Sequence, residues 1–323
     1  MTEVCVVANS VGPTSIPADI AREVAGHPDF EVRLVAWFGA DPIETPDSMT
    51  ITSITVGSET ATTTAFSRLA SAIRNCDVVH THHSHSGSIA KALAFALGKP
   101  VVATENASHH RLSMAGHAAN GLTNALADRI VCISEHVCDS FGYWERLLTR
   151  GKRTLVHNGV DMAAVQAARE QGWLAEHHDV DTDGFVIGHA ASMKPVKSQR
   201  TLIEAVADCH ESGHSVDLVI AGGGTLRGAL ERLAQRRGVG DSVHFTGQLS
   251  RTAVYKLFWA VDAVAMPSLD ETFCVAVAEA MAAETPCILS EIPVFRELYG
   301  DAACYHPTED PAALADCIRR LAV

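Results

Sequence analysis

Two α/β domains, each a mostly parallel sheet covered by helices on both faces, are predicted by three features of this sequence. Short apolar runs alternate with helix-like stretches, the alternation breaks once near the middle, and 323 residues with 47% hydrophobic content can fill two cores. Runs that are apolar throughout mark strands buried on both sides, and the intervening helices supply the crossovers that parallel pairing needs.

In the first half, strands are expected at 4–8, 32–37, 51–56, 77–80, 101–104, 130–133 and 154–157, with helices at 17–25, 65–73, 88–97 and 137–147. The rhythm fails over 162–183, a polar stretch with one helix expected at 163–175, and this is the expected connection. A second series follows: strands at 185–189, 216–221, 243–246, 263–266 and 287–289, and helices at 199–211, 226–237, 252–259, 274–283 and 311–321. The division is therefore 1–165, a connection over 166–183, and 184–323, with the two lobes expected to face each other across a cleft, a favoured place for ligands.

A formal charge of −13, from 38 acidic against 25 basic residues, disfavours general attraction to nucleic acid or anionic lipid while leaving room for a local basic pocket. The nine cysteines form no CxxC pair, and Cys5, Cys132, Cys209 and Cys317 sit in apolar surroundings, as expected of reduced thiols in a cytoplasm. No basic, apolar leader opens the chain, so any role at a membrane is expected to be peripheral.

The most informative segment runs from Pro267 through Asp270, Glu271, Thr272, Phe273 and Cys274 to Glu279 and Ala282. Glu271 and Glu279 are eight positions apart at the mouth of a helix, a step that rises about 12 Å, so they can address different parts of one elongated ligand. Glu271 also suits a helix N-terminus for purely structural reasons, whereas Glu279 among apolar neighbours needs a partner. Gly222, Gly223 and Gly224 follow a strand and open a helix, so their backbone can approach an anion, although a plain strand-to-helix turn reads the same way. Lys194 and Lys197 lie in the loop after the first strand of the second lobe, where open α/β sheets present ligands.

The run His80-Thr81-His82-His83-Ser84-His85 invites a zinc reading, but no nearby cysteine or carboxylate completes a ligand set. Contact with sugar hydroxyls or phosphate, or simple capping and solvation, are the alternatives. His109 and His110 follow another strand in the same manner. Ser134 is expected to cap a helix and lacks the GxSxG setting of an acyl-transfer nucleophile, while Asn158-Gly159 reads as a tight turn.

Taken in order, His157-Asn158-Gly159-Val160-Asp161, Lys197 with Leu202-Ile203-Glu204-Ala205 beyond it, Gly222-Gly223-Gly224, Phe245-Thr246-Gly247 and the Glu271/Glu279 segment resemble retaining glycosyltransferase family 4. The resemblance implies the GT-B arrangement of two Rossmann-like domains, with an acceptor-side N-terminal domain and a C-terminal domain that binds a nucleoside diphosphate sugar, linked to uridine or guanosine. It implies hexosyl transfer to a hydroxyl with retained configuration and without a metal or other cofactor. By the same resemblance Glu279 holds the donor ribose, Glu271 lies near the transferred sugar, Lys197 faces the diphosphate, and Phe273, Cys274 and Val275 form the loop beneath sugar and phosphates. Gly12 belongs to the first-lobe loop approaching the same group, and Gly223 and Gly224 offer backbone donors.

Departures from the family pattern are equally legible. Ala191-Ser192 stand where a glycine and an arginine are usual, which removes one phosphate-binding cation and makes Lys194 the candidate substitute. Glu271-Thr272-Phe273-Cys274 replaces EGFG, and Asn106 stands where a first-lobe histidine is common, so that His82, His109 or His110 becomes the candidate imidazole. The family's final helical segment is not matched, and closure is expected to use a smaller contact or a partner subunit. Two other readings accompany transfer: a noncatalytic nucleotide-sugar-binding subunit, and a nonhydrolysing sugar-nucleotide epimerase.

Overall fold

The computed structural model describes residues 1–12, 14–55, 63–82, 84–109, 113–170, 172–178, 180 and 184–322. The chain divides into two compact units, Met1–His157 and Asn158–Val323.

The first unit runs β1 (Thr2–Ala8), α1 (Ile16–Ala25), β2 (Phe30–Ala36), β3 (Met49–Ser53), α2 (Thr63–Arg74), β4 (Val78–His82), α3 (Ser84–Ala96), β5 (Val101–Glu105), α4 (Met114–Asn124), β6 (Arg129–Cys132), α5 (Glu135–Asp139), α6 (Tyr143–Leu148) and β7 (Arg153–Leu155). Among the described residues its seven strands pair in the order β3-β2-β1-β4-β5-β6-β7, with every pair parallel. Val4, Val6, Val32 and Leu34 bury one sheet face beneath α1, whose Ala18, Ala21 and Ala25 let it approach closely. Continuous apolar strands thus become a two-faced sheet, as the sequence pattern requires.

The second unit runs α7 (Met162–Ala167), α8 (Trp173–His178), β8 (Phe185–Ala190), α9 (Gln199–Glu211), β9 (Val216–Ala221), α10 (Arg227–Arg236), β10 (Val243–Gly247), α11 (Arg251–Ala260), β11 (Ala263–Met266), α12 (Val275–Ala282), β12 (Cys287–Ser290), α13 (Pro293–Tyr299), β13 (Cys304–His306) and α14 (Pro311–Leu321). Among the described residues its six strands, again all parallel, are ordered β10-β9-β8-β11-β12-β13. Successive strand residues feed opposite cores. Ile187, Leu218, Ala263 and Ile288 pack towards α9 and α14, while Val186, Val219, Val264 and Leu289 pack towards α11 and α12.

Several expected elements differ. The helix expected over 137–147 is split into α5 and α6, because the chain turns at Gly142, whose N–H donates to Glu145 Oε2 at 2.7 Å and so starts the second piece. The helix expected over 163–175 is likewise split into α7 and α8. The polar stretch expected to connect the domains contributes Ala168, Trp173, Leu174 and Val180 to the core of the second unit. Helices α4 and α13 and the three-residue edge strand β13 were not anticipated. The last two are too short for periodicity to register, and the apolar residues of α4 point the unexpected way.

Candidate functional site

In each sheet the strand order reverses once, between β1 and β4 in the first unit and between β8 and β11 in the second. Loops leaving the carboxyl ends of such a pair diverge, which opens a crevice for ligands.

At the reversal in the second unit, the loop after β8 closes with a 3-10 turn, Pro195–Lys197, and the loop after β11 leads into α12. The Leu269 N–H donates to the Val196 carbonyl at 2.8 Å and fastens the loops together. Across them Lys197 Nζ bonds Glu271 Oε1, and Ser268 Oγ donates to the same oxygen at 2.8 Å. Glu271 is buried, and this cation and this hydroxyl supply the hydrogen-bond partners a buried carboxyl group needs. Lys194 lies exposed three residues earlier, its N–H bonded to the carbonyl of exposed Ser192.

The turn into α12 is strained. Cys274 has φ 65°, a left-handed conformation in which L side chains are crowded. The Tyr299 hydroxyl holds the turn from behind, donating to the carbonyls of Phe273 and Cys274 at 3.2 and 3.1 Å. Phe273 is buried, and Val275 opens the helix, whose N-terminal backbone donors face the loop.

One turn and more along α12, Glu279 is also buried, and its Oε1 accepts from Arg251 Nε at 3.2 Å, Arg251 Nη2 at 3.1 Å and the Tyr255 hydroxyl at 3.3 Å. Burial, reinforced by the Glu279 charge, pushes the Tyr255 hydroxyl up to about 12, so it remains a donor. Sequence reasoning missed Arg251 and Tyr255. The signal available was the need of Glu279 for a partner, but nothing local named the neighbouring helix as its source.

The three glycines after β9 divide by role. A Cβ at Gly222 would lie 2.1 Å from the Ala191 carbonyl oxygen and one at Gly224 2.5 Å from that of Met193, so both are needed for the loop after β8 to pack closely. Around Gly223 the space is open, while its carbonyl accepts from Met193 N at 2.8 Å.

At the reversal in the first unit, a cavity of about 690 Å³ is lined by Gly12, Ser15, Phe38, Asp41 and Asn106 among others. Asn106 sits between it and His82, its side-chain nitrogen 3.2 Å from His82 Nδ1, and His82 is wholly buried. Gly12, His82 and Asn106 therefore gather at the carboxyl ends of β1, β4 and β5. His80 bonds Thr104 Oγ1 at 2.8 Å, and burial lowers its imidazole to about 4, so it is neutral at physiological pH. His85 is exposed and stacked on Phe38. His83 and His110 lie outside the described residues.

His109 is buried between two carboxylates, with Nδ1 3.0 Å from Glu145 and Nε2 3.3 Å from Glu105, and its ring stacks on Phe141. Burial opposes its protonation, but the two carboxylates outweigh that and raise its pKa. His109, His117 and Glu145 bring potential metal ligands within 4.8 Å of one another. Within the cluster His109 Nδ1 lies 3.0 Å from Glu145 Oε1 and His117 Nε2 lies 3.2 Å from Glu145 Oε2, and Glu145 Oε2 also accepts from Gly142 N–H, so these groups satisfy one another. The contacts tie α4, α6 and the segment after β5 together.

Two family models match the chain: "Glycosyltransferase Family 4" over residues 18–164 and "Glycosyl transferases group 1" over 174–322. Among curated proteins, a putative glycosyltransferase EpsF of Bacillus subtilis is 31% identical over 53% of this chain and 43% of that protein. A D-inositol 3-phosphate glycosyltransferase of Streptomyces avermitilis is 26% identical over 76% and 58%. The chain spans about half the length of the curated relatives it matches. Among solved structures, Anabaena HepE in complex with UDP and glucose superposes with a TM-score of 0.77 at 18% identity, covering 99% of this chain and 89% of that one. The sucrose-phosphate synthase of Thermosynechococcus elongatus gives 0.79 at 18%, covering 99% and 90%. These likenesses establish the GT-B fold of two Rossmann-like domains.

Proposed function

We infer that this chain, which belongs to glycosyltransferase family 4, transfers a hexose-like group from a nucleoside diphosphate sugar to a hydroxyl acceptor with retention of configuration. The observation that carries this reading is the Lys197–Glu271 contact across the reversal of the second sheet, one helix start away from Glu279. A cation and a buried carboxylate on loops that open at such a crevice, with a second buried carboxylate on the helix that follows, suit a ligand with a diphosphate at its middle, a ribose at one end and a sugar at the other.

In this reading the diphosphate competes for the Lys197 ammonium and is stabilised by it as negative charge grows on the leaving oxygen. The N-terminal donors of α12 from Cys274 and Val275, the open Gly223 and the exposed Lys194 add to that field. Glu279 accepts from ribose hydroxyls while Arg251 neutralises its charge, and Glu271 orients the transferred sugar. The first unit supplies the acceptor side, with Gly12, Asn106 and His82 around its cavity. Exchange of the usual imidazole for Asn106 leaves His82 one bond behind the cavity wall, where it orients the amide.

The donor base is left between uridine and guanosine, since relatives of both kinds are found: HepE is seen with UDP, and other relatives are described as GDP-mannose-dependent. Among the described residues no helix is long and apolar enough to cross a membrane. A cytoplasmic setting is supported by the buried thiols of Cys5 and Cys209, which pack as small apolar groups.

The test is a mass-spectrometric screen of the purified protein against UDP- and GDP-linked sugars, followed by addition of acceptor fractions to each donor that binds. An acceptor gaining one hexosyl unit, with release of the nucleoside diphosphate, is the expected result. Sugar interconversion without an acceptor would assign an epimerase, and binding without turnover over a broad acceptor panel would assign a noncatalytic subunit.

A further inference from the structure

Helix α4 is built inside out. Its solvent side carries Met114, Ala118 and Leu122 in one row, with Met114 92% and Leu122 67% exposed. Its inner side carries Asn120, Gly121 and Asn124, all buried. The reason lies beneath it. Lys91 of α3 is wholly buried, and its ammonium donates to Asn120 Oδ1 at 2.8 Å and to Asn124 Oδ1, while Asn120 Nδ2 donates to both oxygens of Glu105 at 3.1 and 3.0 Å. These polar bonds turn the amide face of α4 inward, and the apolar face is left outward.

Helix α6 packs beside α4 and repeats the inversion. It buries Glu145, which lies 3.0 Å from His109 and 3.2 Å from His117, and exposes Tyr143, Trp144 and Leu147. Gly121 makes the approach possible, since a Cβ there would come within 2.5 Å of Glu145 Oε1. Two neighbouring helices thus present an apolar surface with two amphipathic aromatic rings, a composition suited to the boundary between headgroups and acyl chains.

The charge around this surface selects its partner. Between Tyr143 and Arg153, Arg146 and Arg150 are exposed, Lys152 and Arg153 are tied back to the carbonyls of Ala125 at 2.7 Å and Cys138 at 3.2 Å, and the one acid, Glu145, points inward. Arg146 is partly offset by Asp139 at 3.5 Å, but the segment is basic in a chain of net charge −13. A second copy seated on the same face would bring two cationic rims into one interface, which disfavours self-association. An anionic phospholipid surface meets both the apolar face and the cationic rim.

We propose that the outward faces of α4 and α6 are a docking surface for anionic phospholipid, holding the first unit flat on a bilayer through Met114, Leu122, Tyr143, Trp144 and Leu147 with Arg146 and Arg150 at the headgroups. Docking here is peripheral and requires no covalent step. It differs from the donor site, which lies in the other unit.

The experiment uses the full chain with phosphatidylcholine vesicles made with and without phosphatidylglycerol. Sedimentation should show partition onto the anionic vesicles that weakens as salt is raised, and Met114→Asp with Leu122→Asp should reduce it by at least about tenfold. Trp144 supplies a second readout that does not depend on how those variants fold. Of the four tryptophans, Trp37 and Trp173 are buried and Trp259 is partly buried, whereas Trp144 is 71% exposed. Lipids brominated on the acyl chains should quench its emission, and Trp144→Phe should remove the quenched component. Absence of partition, partition with Trp144 unquenched, or a lipid-independent dimer abolished by the aspartate pair would each overturn the proposal.

Discussion

Arg251 reaches from α11 to Glu279 on α12, placing Nε and Nη2 at 3.2 and 3.1 Å from a single carboxylate oxygen, with the Tyr255 hydroxyl at 3.3 Å from the same atom. The buried glutamate at the proposed ribose site is thus already neutralised by a neighbouring helix. Arg251 and Tyr255 supply the partners that a buried carboxyl group on the apolar side of α12 requires.

Glu279→Gln should keep the shape but replace a charged acceptor by a neutral one. Donor or nucleoside diphosphate affinity should fall roughly tenfold, consistent with one charge-assisted hydrogen bond. Arg251→Ala should instead lower stability by about 3 kcal/mol, because it strands a buried charge. Titration calorimetry and urea unfolding separate the two effects. Unchanged affinity in Glu279→Gln counts against the ribose role.

Lys197→Ala should cut kcat by roughly a hundredfold or more, the scale of losing one preorganised electrostatic donor at a leaving group. Its effect on nucleoside binding without phosphates should be small. Single-turnover kinetics with the donor identified in the screen, together with nucleoside and nucleoside diphosphate affinities, check both expectations. Equal weakening of all three would mean that Lys197 acts through Glu271 as a structural ion pair.

Cys274 adopts a conformation with φ 65° that a glycine accepts freely. Cys274→Gly should leave stability equal or raise it by up to about 1 kcal/mol, whereas Cys274→Val should lower it by at least about 1 kcal/mol, since β-branching worsens the crowding. Urea midpoints should therefore diverge, with the valine variant below the parent and the glycine variant at or above it.

The network beneath α4 predicts an acid response. Burial would raise the Glu105 carboxyl, but the hydrogen bond from His109 and the charge of Lys91 overcome this and hold it at about 2, against an ordinary 4.5. The unfolded chain therefore binds more protons between those values, so stability from Glu105 is complete above about pH 4.5 and is lost as pH falls towards 2. Glu105→Gln should lose about 3 kcal/mol at neutral pH and show a flatter stability profile between pH 4.5 and 2, measured by urea unfolding at each pH.

The elements that carry the donor-site reading were legible because their chemistry is local. Continuous apolar runs gave two parallel sheets, and the spacing of Lys197, Glu271 and Glu279 relative to β8, β11 and α12 follows from the loop and helix in which each lies. His109 and Arg251 were not legible in the same way. Whether an imidazole faces a cavity or a pair of buried carboxylates, and which helix lends a guanidinium to Glu279, depend on residues 28 to 36 positions away.

Taken alone, the order of residues fixed the alternation of strand and helix, the parallel pairing, the glycine turn and the acidic helix start, since each depends on near neighbours and on how much apolar surface a segment must bury. Only the tertiary structure decided which way α4 and α6 face. Periodicity shows that Met114, Ala118 and Leu122 share a side of a helix, but burial of the Lys91 ammonium and the Glu105 carboxylate demands hydrogen-bond partners, and satisfying them turned that side towards solvent.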